Sequence, residues 1–128
     1  MKSKFYKYYI IGIDEAGRGP LAGPVTVAAV AINSDMKIFA PRQGLKLKDS
    51  KQLTENQREA WFGHIKKYSE IYSAVASVYP KVIDRINISC AANLAATRAF
   101  KRLIVRNSNK IVRGKIFLDG GLFLNKKI

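Results

Sequence analysis

Residues Tyr8 to Asp14, YYIIGID, are dense in aromatic and branched apolar side chains, the pattern of a strand buried on both faces. Val25 to Ile32, VTVAAVAI, sets β-branched residues among alanines and predicts a second strand. A Gly- and Pro-rich segment joins the two, which suits an antiparallel pair. From Asn33 to Leu53 the chain is polar and Lys-rich, and Pro41 and Gly44 break any period. That stretch leaves room for one short strand around Met36 to Phe39. Thr54-Glu55-Asn56-Gln57 has the form of a capping box. Trp61, Phe62, Ile65 and Tyr68 then recur at helical spacing, predicting a helix over 55–68. Ile71 to Tyr79 alternates apolar and polar positions as a strand does, and Pro80 opens a short helical segment through Ile86. Ile88, Ala91, Ala92, Ala95, Ala96, Ala99, Phe100, Leu103 and Ile104 share one helical face. They predict a long helix from Ser89 to Val105 that lies close against a sheet, with Arg98, Lys101 and Arg102 off that face. Asn107 to Lys110 reads as a turn, and Lys115 to Leu118 begins a strand that ends at Asp119-Gly120-Gly121. The order of elements is that of a mixed α/β sheet with an antiparallel start, in one domain over residues 1–128.

Composition narrows the class. With 48% hydrophobic and 25% charged residues, the 128-residue chain is that of a packed globular protein. No apolar run approaches the roughly 20 residues needed to cross a bilayer. The N-terminal apolar stretch is short and ends in Asp14-Glu15, unlike a secretory signal, so a cytoplasmic location is expected. A single cysteine, Cys90, allows no internal disulfide, and together with the single His64 it excludes a zinc site of ordinary composition. Cys90 is expected in the core and His64 on a solvent-facing helix position. The 23 Lys and Arg against 9 Asp and Glu give a net charge of +14. Such a field draws in polyanions. Nucleic acid, an anionic membrane surface and a merely solvated basic surface all remain open on charge alone.

Against that charge, the segment IIGIDEAGRGPLAGPV ends an apolar run on two adjacent carboxylates, Asp14 and Glu15. The last strand also runs into an acid, Asp119, followed by glycines. Carboxylates brought together at one sheet edge repel one another, and a divalent cation with oxygen ligands, Mg²⁺ or Mn²⁺, removes that conflict. Two such ions can activate water and stabilise a leaving oxygen in phosphodiester hydrolysis. The plainer alternative is that Asp14 and Glu15 only close a strand and join a turn. Gly17, Arg18 and Gly19 would let the backbone approach a ligand closely, and exposed amides and carbonyls could read a ribose 2′-hydroxyl. No Gly-Lys-Ser/Thr ending is present, so the segment is not a phosphate loop of the Walker type.

Residues 12 to 25, GIDEAGRGPLAGPV, closely resemble the signature of the ribonuclease HII family. The resemblance continues in order through Lys48-Asp49-Ser50-Lys51-Gln52-Leu53, Ile83-Asp84-Arg85-Ile86-Asn87-Ile88 and Phe117-Leu118-Asp119-Gly120. The Gly-Arg-Gly form favours type 2 over the sister ribonuclease HIII. The resemblance implies an α/β, RNase H-like mixed sheet with flanking helices, the family's C-terminal helices being absent from residues 1–128. It implies a monomeric endonuclease that cleaves RNA in RNA–DNA hybrids and cuts 5′ to ribonucleotides embedded in duplex DNA. By motif match, Asp14, Glu15 and Asp119 would be catalytic metal ligands for Mn²⁺ or Mg²⁺. Gly17, Arg18 and Gly19 would recognise the RNA-to-DNA junction, and Ser50, Lys51 and Asn87 would contact phosphates. Asn87 could equally cap the Ala-rich helix. The family uses a fourth acid and a later tyrosine; nothing after Asp119 is acidic and no tyrosine follows Tyr79. The chain therefore looks like the N-terminal part of such an enzyme, with little nuclease activity expected from these residues alone. The alternatives are a non-catalytic basic nucleic-acid-binding module and a basic α/β domain of a larger assembly.

Overall fold

The structure, a computed structural model, describes residues 6–16, 23–37, 53–118, 122 and 124. The elements follow in the order β1 (Tyr8–Ala16), β2 (Val25–Asn33), α1 (Glu55–Ile65), β3 (Tyr72–Val78), α2 (Pro80–Ile86), α3 (Ile88–Arg106) and β4 (Arg113–Leu118). They build a four-stranded sheet of order β3-β2-β1-β4. The pairs β1–β2 and β2–β3 are antiparallel, whereas β1 and β4 are parallel, so the expected mixed sheet with an antiparallel start is present. The parallel pair needs a long connection; here it runs through β2, α1, β3 and α2 and ends in α3, which carries the chain from β3 across to β4.

One face of the sheet is closed by α3. Ile11, Ile13, Val25, Val27, Ala29, Ala31, Ala74, Ala76 and Val78 meet Ala91, Ala92, Ala95, Ala96, Ala99 and Leu103 in one buried cluster. Alanines on both sides let the helix axis approach the strands closely, and each buried methyl leaves water at almost no side-chain entropy cost. Ile88, expected on the same stripe, is 42% exposed because it starts the helix.

Several expectations change. Burial along β1 alternates: Tyr9, Ile11 and Ile13 are buried, while Tyr8 and Ile10 are about two-fifths exposed. The strand is therefore covered on one face only, since α3 packs on the side of the odd-numbered residues. Cys90 is exposed. It lies in the first turn of α3, on the side opposite the Ala stripe at 100° per residue. His64 is half-buried between Trp61 and Tyr68, whose rings meet it edge-on at 5.9 Å and 5.3 Å. Helix α1 starts at the Thr54 capping box, as expected, but ends at Ile65. There Lys67 and Tyr68 donate their amides to the carbonyls of His64 and Ile65, three residues back, which tightens the chain into a turn. Met36 is not in a strand: its amide donates to Asn33 O at 2.9 Å, closing the turn after β2. The rest of the short strand expected there, residues 38 and 39, lies outside the described residues. Strand β4 begins two residues before Lys115, and β3 is one residue shorter at each end than expected.

Gly114 sits opposite Tyr9 in the β1–β4 pair, and a Cβ at that position would collide with the Tyr9 carbonyl oxygen. Only glycine lets β4 lie this close to β1 there.

A candidate carboxylate site at the end of β1

Asp14 and Glu15 occupy the last turns of the pleat in β1, opposite Ala28 and Val27 of β2. Strand alternation puts Asp14 on the open face with Tyr8, Ile10 and Gly12, and Glu15 on the side of Ile13 and α3. Asp14 is exposed and Glu15 half-buried, and both take part in polar interactions within the chain. A Cβ at Gly12 would meet no atom of the described residues within 4 Å, so they leave the floor next to Asp14 clear on the open face. Phe117 of β4 is the register partner of Gly12 and is 52% exposed beside it. Lys115 of the same strand lies over the Phe117 ring at 5.3 Å.

The last described pair of the β1–β4 ladder is Ile13 with Leu118. Each is followed in sequence by an acid, Asp14 and Asp119. Asp119 itself lies outside the described residues, as do Gly17, Arg18, Gly19, Ser50 and Lys51. Among the described residues no group of three His, Cys, Asp or Glu side chains could hold a metal. The two described carboxylates leave opposite faces of β1, so Asp14 is the one that addresses the open face; carboxylate oxygens partly open to water are hard donors that fit Mg²⁺ or Mn²⁺ and not a soft or tetrahedral metal.

Asn87 lies at the junction of α2 and α3. The chain leaves β3 at Val78, whose partner Val25 marks the same end of the sheet as Ala16, and reaches Asn87 through α2. Its Oδ1 accepts the Cys90 amide at 3.0 Å, the N-cap of α3, so the capping alternative is the one observed. Its φ of 68° makes it the one non-glycine residue in the left-handed region among those described.

At the opposite end of the sheet, Tyr6, Lys7, Tyr9, Glu70, Tyr72, Asn109 and Lys110 line a polar cavity of about 210 Å³. The Lys7 ammonium donates to the Glu70 carboxylate. That hydrogen bond and its Coulomb attraction hold Glu70 below and Lys7 above their ordinary values, and burial pushes the Tyr9 phenol up. No local pattern hints at this pair, because 63 residues separate its members. Nor does local pattern assign Arg98, Lys101 or Arg102 a partner, yet Arg102 Nη1 donates to the Val75 carbonyl of β3 at 2.7 Å.

Solved ribonucleases H share this architecture. Bst-RNase HIII, in a crystal structure with Mn²⁺, aligns with a TM-score of 0.62 at 22% identity, over 98% of this chain and 40% of that one. Ribonuclease H2 from Pyrococcus horikoshii OT3 aligns with a TM-score of 0.59 at 26% identity, over 86% of this chain and 61% of that one. The fold is thus RNase H-like. A sequence model of the family described as Ribonuclease HII matches residues 11–120. Ribonuclease HII of Caldicellulosiruptor bescii is 46% identical over 106 residues, covering 83% of this chain. The chain belongs to the ribonuclease HII family. It spans 48% of the length of the C. bescii relative. No helix among the described residues is long and apolar enough to cross a membrane.

Proposed function

We propose that this chain carries the metal-binding edge of an endoribonuclease that hydrolyses RNA in RNA–DNA hybrids and cuts 5′ to ribonucleotides embedded in duplex DNA. One observation carries the reading. The β1–β4 ladder pairs Ile13 with Leu118, each one residue short of an acid, in a chain whose family is that of ribonuclease HII. Consecutive Cα atoms are about 3.8 Å apart, and paired strands lie about 4.8 Å apart. Parallel strands leaving the ladder in register therefore favour two acids meeting at one corner.

In this reading Asp14, Glu15 and Asp119 hold divalent ions, Mn²⁺ or Mg²⁺. Two bound ions supply an acidified water and charge stabilisation at the leaving 3′-oxygen. The carboxylates place the site at the end of β1, which is paired with β2 on one side and β4 on the other. The clear floor at Gly12 admits the scissile strand from the open face without a side-chain clash. Gly17, Arg18 and Gly19 read the 2′-hydroxyl at the RNA-to-DNA junction, where a hydroxyl can both donate and accept. The +14 charge brings the duplex to the protein. Asn87 keeps a free amide donor for a phosphate while its oxygen caps α3, and Ser50 and Lys51 are further phosphate contacts. The protein works as a monomer in the cytoplasm.

The test uses Mn²⁺ twice. Loss of the free-ion electron paramagnetic signal on titrating the chain reports metal binding. Incision of a labelled duplex with one ribonucleotide, under protein excess, reports chemistry. Asp14→Asn should abolish Mn²⁺ binding and any incision while leaving duplex affinity intact or higher. Duplex binding with no Mn²⁺ uptake by the unsubstituted chain would overturn the reading in favour of a non-catalytic binding module.

A further inference from the structure

Beyond the carboxylate corner, the strongest unassigned feature is the flank of α3 that overhangs β3. Arg98, Lys101, Arg102 and Arg106 are all exposed there, and with Val105 they line a shallow groove of about 390 Å³, with no acidic side chain among the described residues that line it. Taking 1.5 Å per residue, Arg98, Arg102 and Arg106 rise along the axis in steps of about 6 Å and span about 12 Å. The row is anchored in its middle, because Arg102 is tied to the Val75 carbonyl on the outer edge of β3 at 2.7 Å. That bond holds one guanidinium in place and orients the groove along the sheet edge.

A helix C-terminus favours cations in its last turn. This accounts for Arg106 and leaves Arg98 and Lys101 unexplained. Helical surfaces more often pair such cations with acids three or four residues away. None of residues 88–106 is acidic, so the row has no intrahelical counter-charge. Four like charges on one flank repel one another and are relieved by a polyanion laid along them. Duplex DNA carries about one phosphate charge per 1.7 Å of axis counting both strands, so 12 Å of axis holds roughly seven, of which about three or four lie on the strand facing the row. Guanidinium forks match phosphate oxygens, and an apolar strip such as Val105 between them suits a sugar edge.

We infer that the α3 flank formed by Arg98, Lys101, Arg102 and Arg106 is a second, non-catalytic contact for the phosphate backbone of duplex nucleic acid. It lies around the β3 edge from Asp14. Only two strand spacings, about 10 Å, separate β3 from β1. A duplex engaged at the acid corner can therefore continue onto this flank. The inference rests on the nucleic-acid reading above for the identity of the ligand and needs no metal.

The experiment is fluorescence anisotropy of the full chain with a plain DNA duplex in EDTA, over a series of salt concentrations. The variant R98A/K101A/R106A spares Arg102 and its bond to β3. The control K37A/K66A/K67A removes the same charge from exposed lysines elsewhere. The flank variant should flatten the slope of log affinity against log salt by about 2 to 3, near 0.9 per lost phosphate contact. The control should change it by less than about 1. Circular dichroism verifies folding, and R98Q/K101Q/R106Q, which keeps long polar side chains, repeats the test. Equal slopes for flank and control variants would overturn the inference, as would tighter binding to anionic vesicles than to DNA. Because EDTA is present throughout, a failed metal site shows in the Asp14→Asn titration and a failed flank shows here.

Discussion

On the α3 side of the sheet, Val27, Ala29, Ala31 and the α3 residues Ala95, Ala96, Ala99 and Leu103 are fully buried. On the other side of the same four strands, Ile10 is 42% exposed and Val75 51%. Backbone and register are common to both faces, so the difference comes from what packs on them. Apolar character along a strand sets how much burial is available. A partner element decides how much is realised. The open face is also chemically mixed. Thr26 and Ser77 share a hydrogen bond at 2.8 Å, Arg113 lies over the Tyr8 ring at 5.7 Å, and Asp14 sits at its end. A carboxylate is easier to keep charged and reachable on such a face than among the alanines opposite.

The sharpest way to break this comparison is a pair of truncations. Leu103→Ala should cost about 2–5 kcal/mol, because the cavity it leaves is enclosed by α3 and the strands. Phe117→Ala, on the open face, should cost less than about 1 kcal/mol. Urea unfolding followed by circular dichroism measures both, and similar losses would show that the faces are energetically alike. Next in size, Gly114→Ala should cost about 1–3 kcal/mol by pushing β4 off β1. Its amide-exchange signature should be a loss of protection in β4 with β2 and β3 unaffected. Within the packed side, Asn87→Ala removes the α3 cap from a residue with positive φ and should lose about 1–2 kcal/mol. Asn87→Gly, which fits that φ, should lose less.

The smallest effect concerns pH. The Lys7 hydrogen bond holds the Glu70 carboxyl below 4.5 in the folded chain. The stability that Glu70 adds is present above pH 4.5 and is lost as pH falls through the lower folded value. The Lys7 ammonium is raised above 10.5, so its share is present below that pH and fades as pH rises through the higher folded value. The pair is exposed and salt-screened, so Glu70→Gln should only flatten the acid limb of a melting-temperature profile, and least at high salt.

Much of the fold was legible in local pattern. The Thr54 capping box, the Pro80 helix start and the Ala stripe of α3 each state a local rule that the surrounding structure obeys. Failures came where a neighbour decides the outcome. The apolar run at Tyr8 to Asp14 could not reveal that a helix covers only one of its faces. Cys90 was expected inside on residue type alone, although its place in the helical period points outward. Of the expected site, Asp14 and Glu15 stand at the end of β1 as the run of apolar residues suggested. The Lys7–Glu70 pair and the Arg102 bond to Val75 were illegible, because contacts between distant segments leave no mark in either segment alone.

The two edges of β1 are completed at very different moments. Its β2 partner begins within ten residues of its end, whereas Tyr8 pairs with Arg113, 105 residues further on. At a ribosomal pace of about 5–20 residues per second, the second edge stays bare for roughly 5–20 s during synthesis. Through that interval a half-paired strand is offered to any neighbouring nascent chain, and the lysine-rich stretch after β2 adds positive charge that disfavours the approach of a like-charged copy.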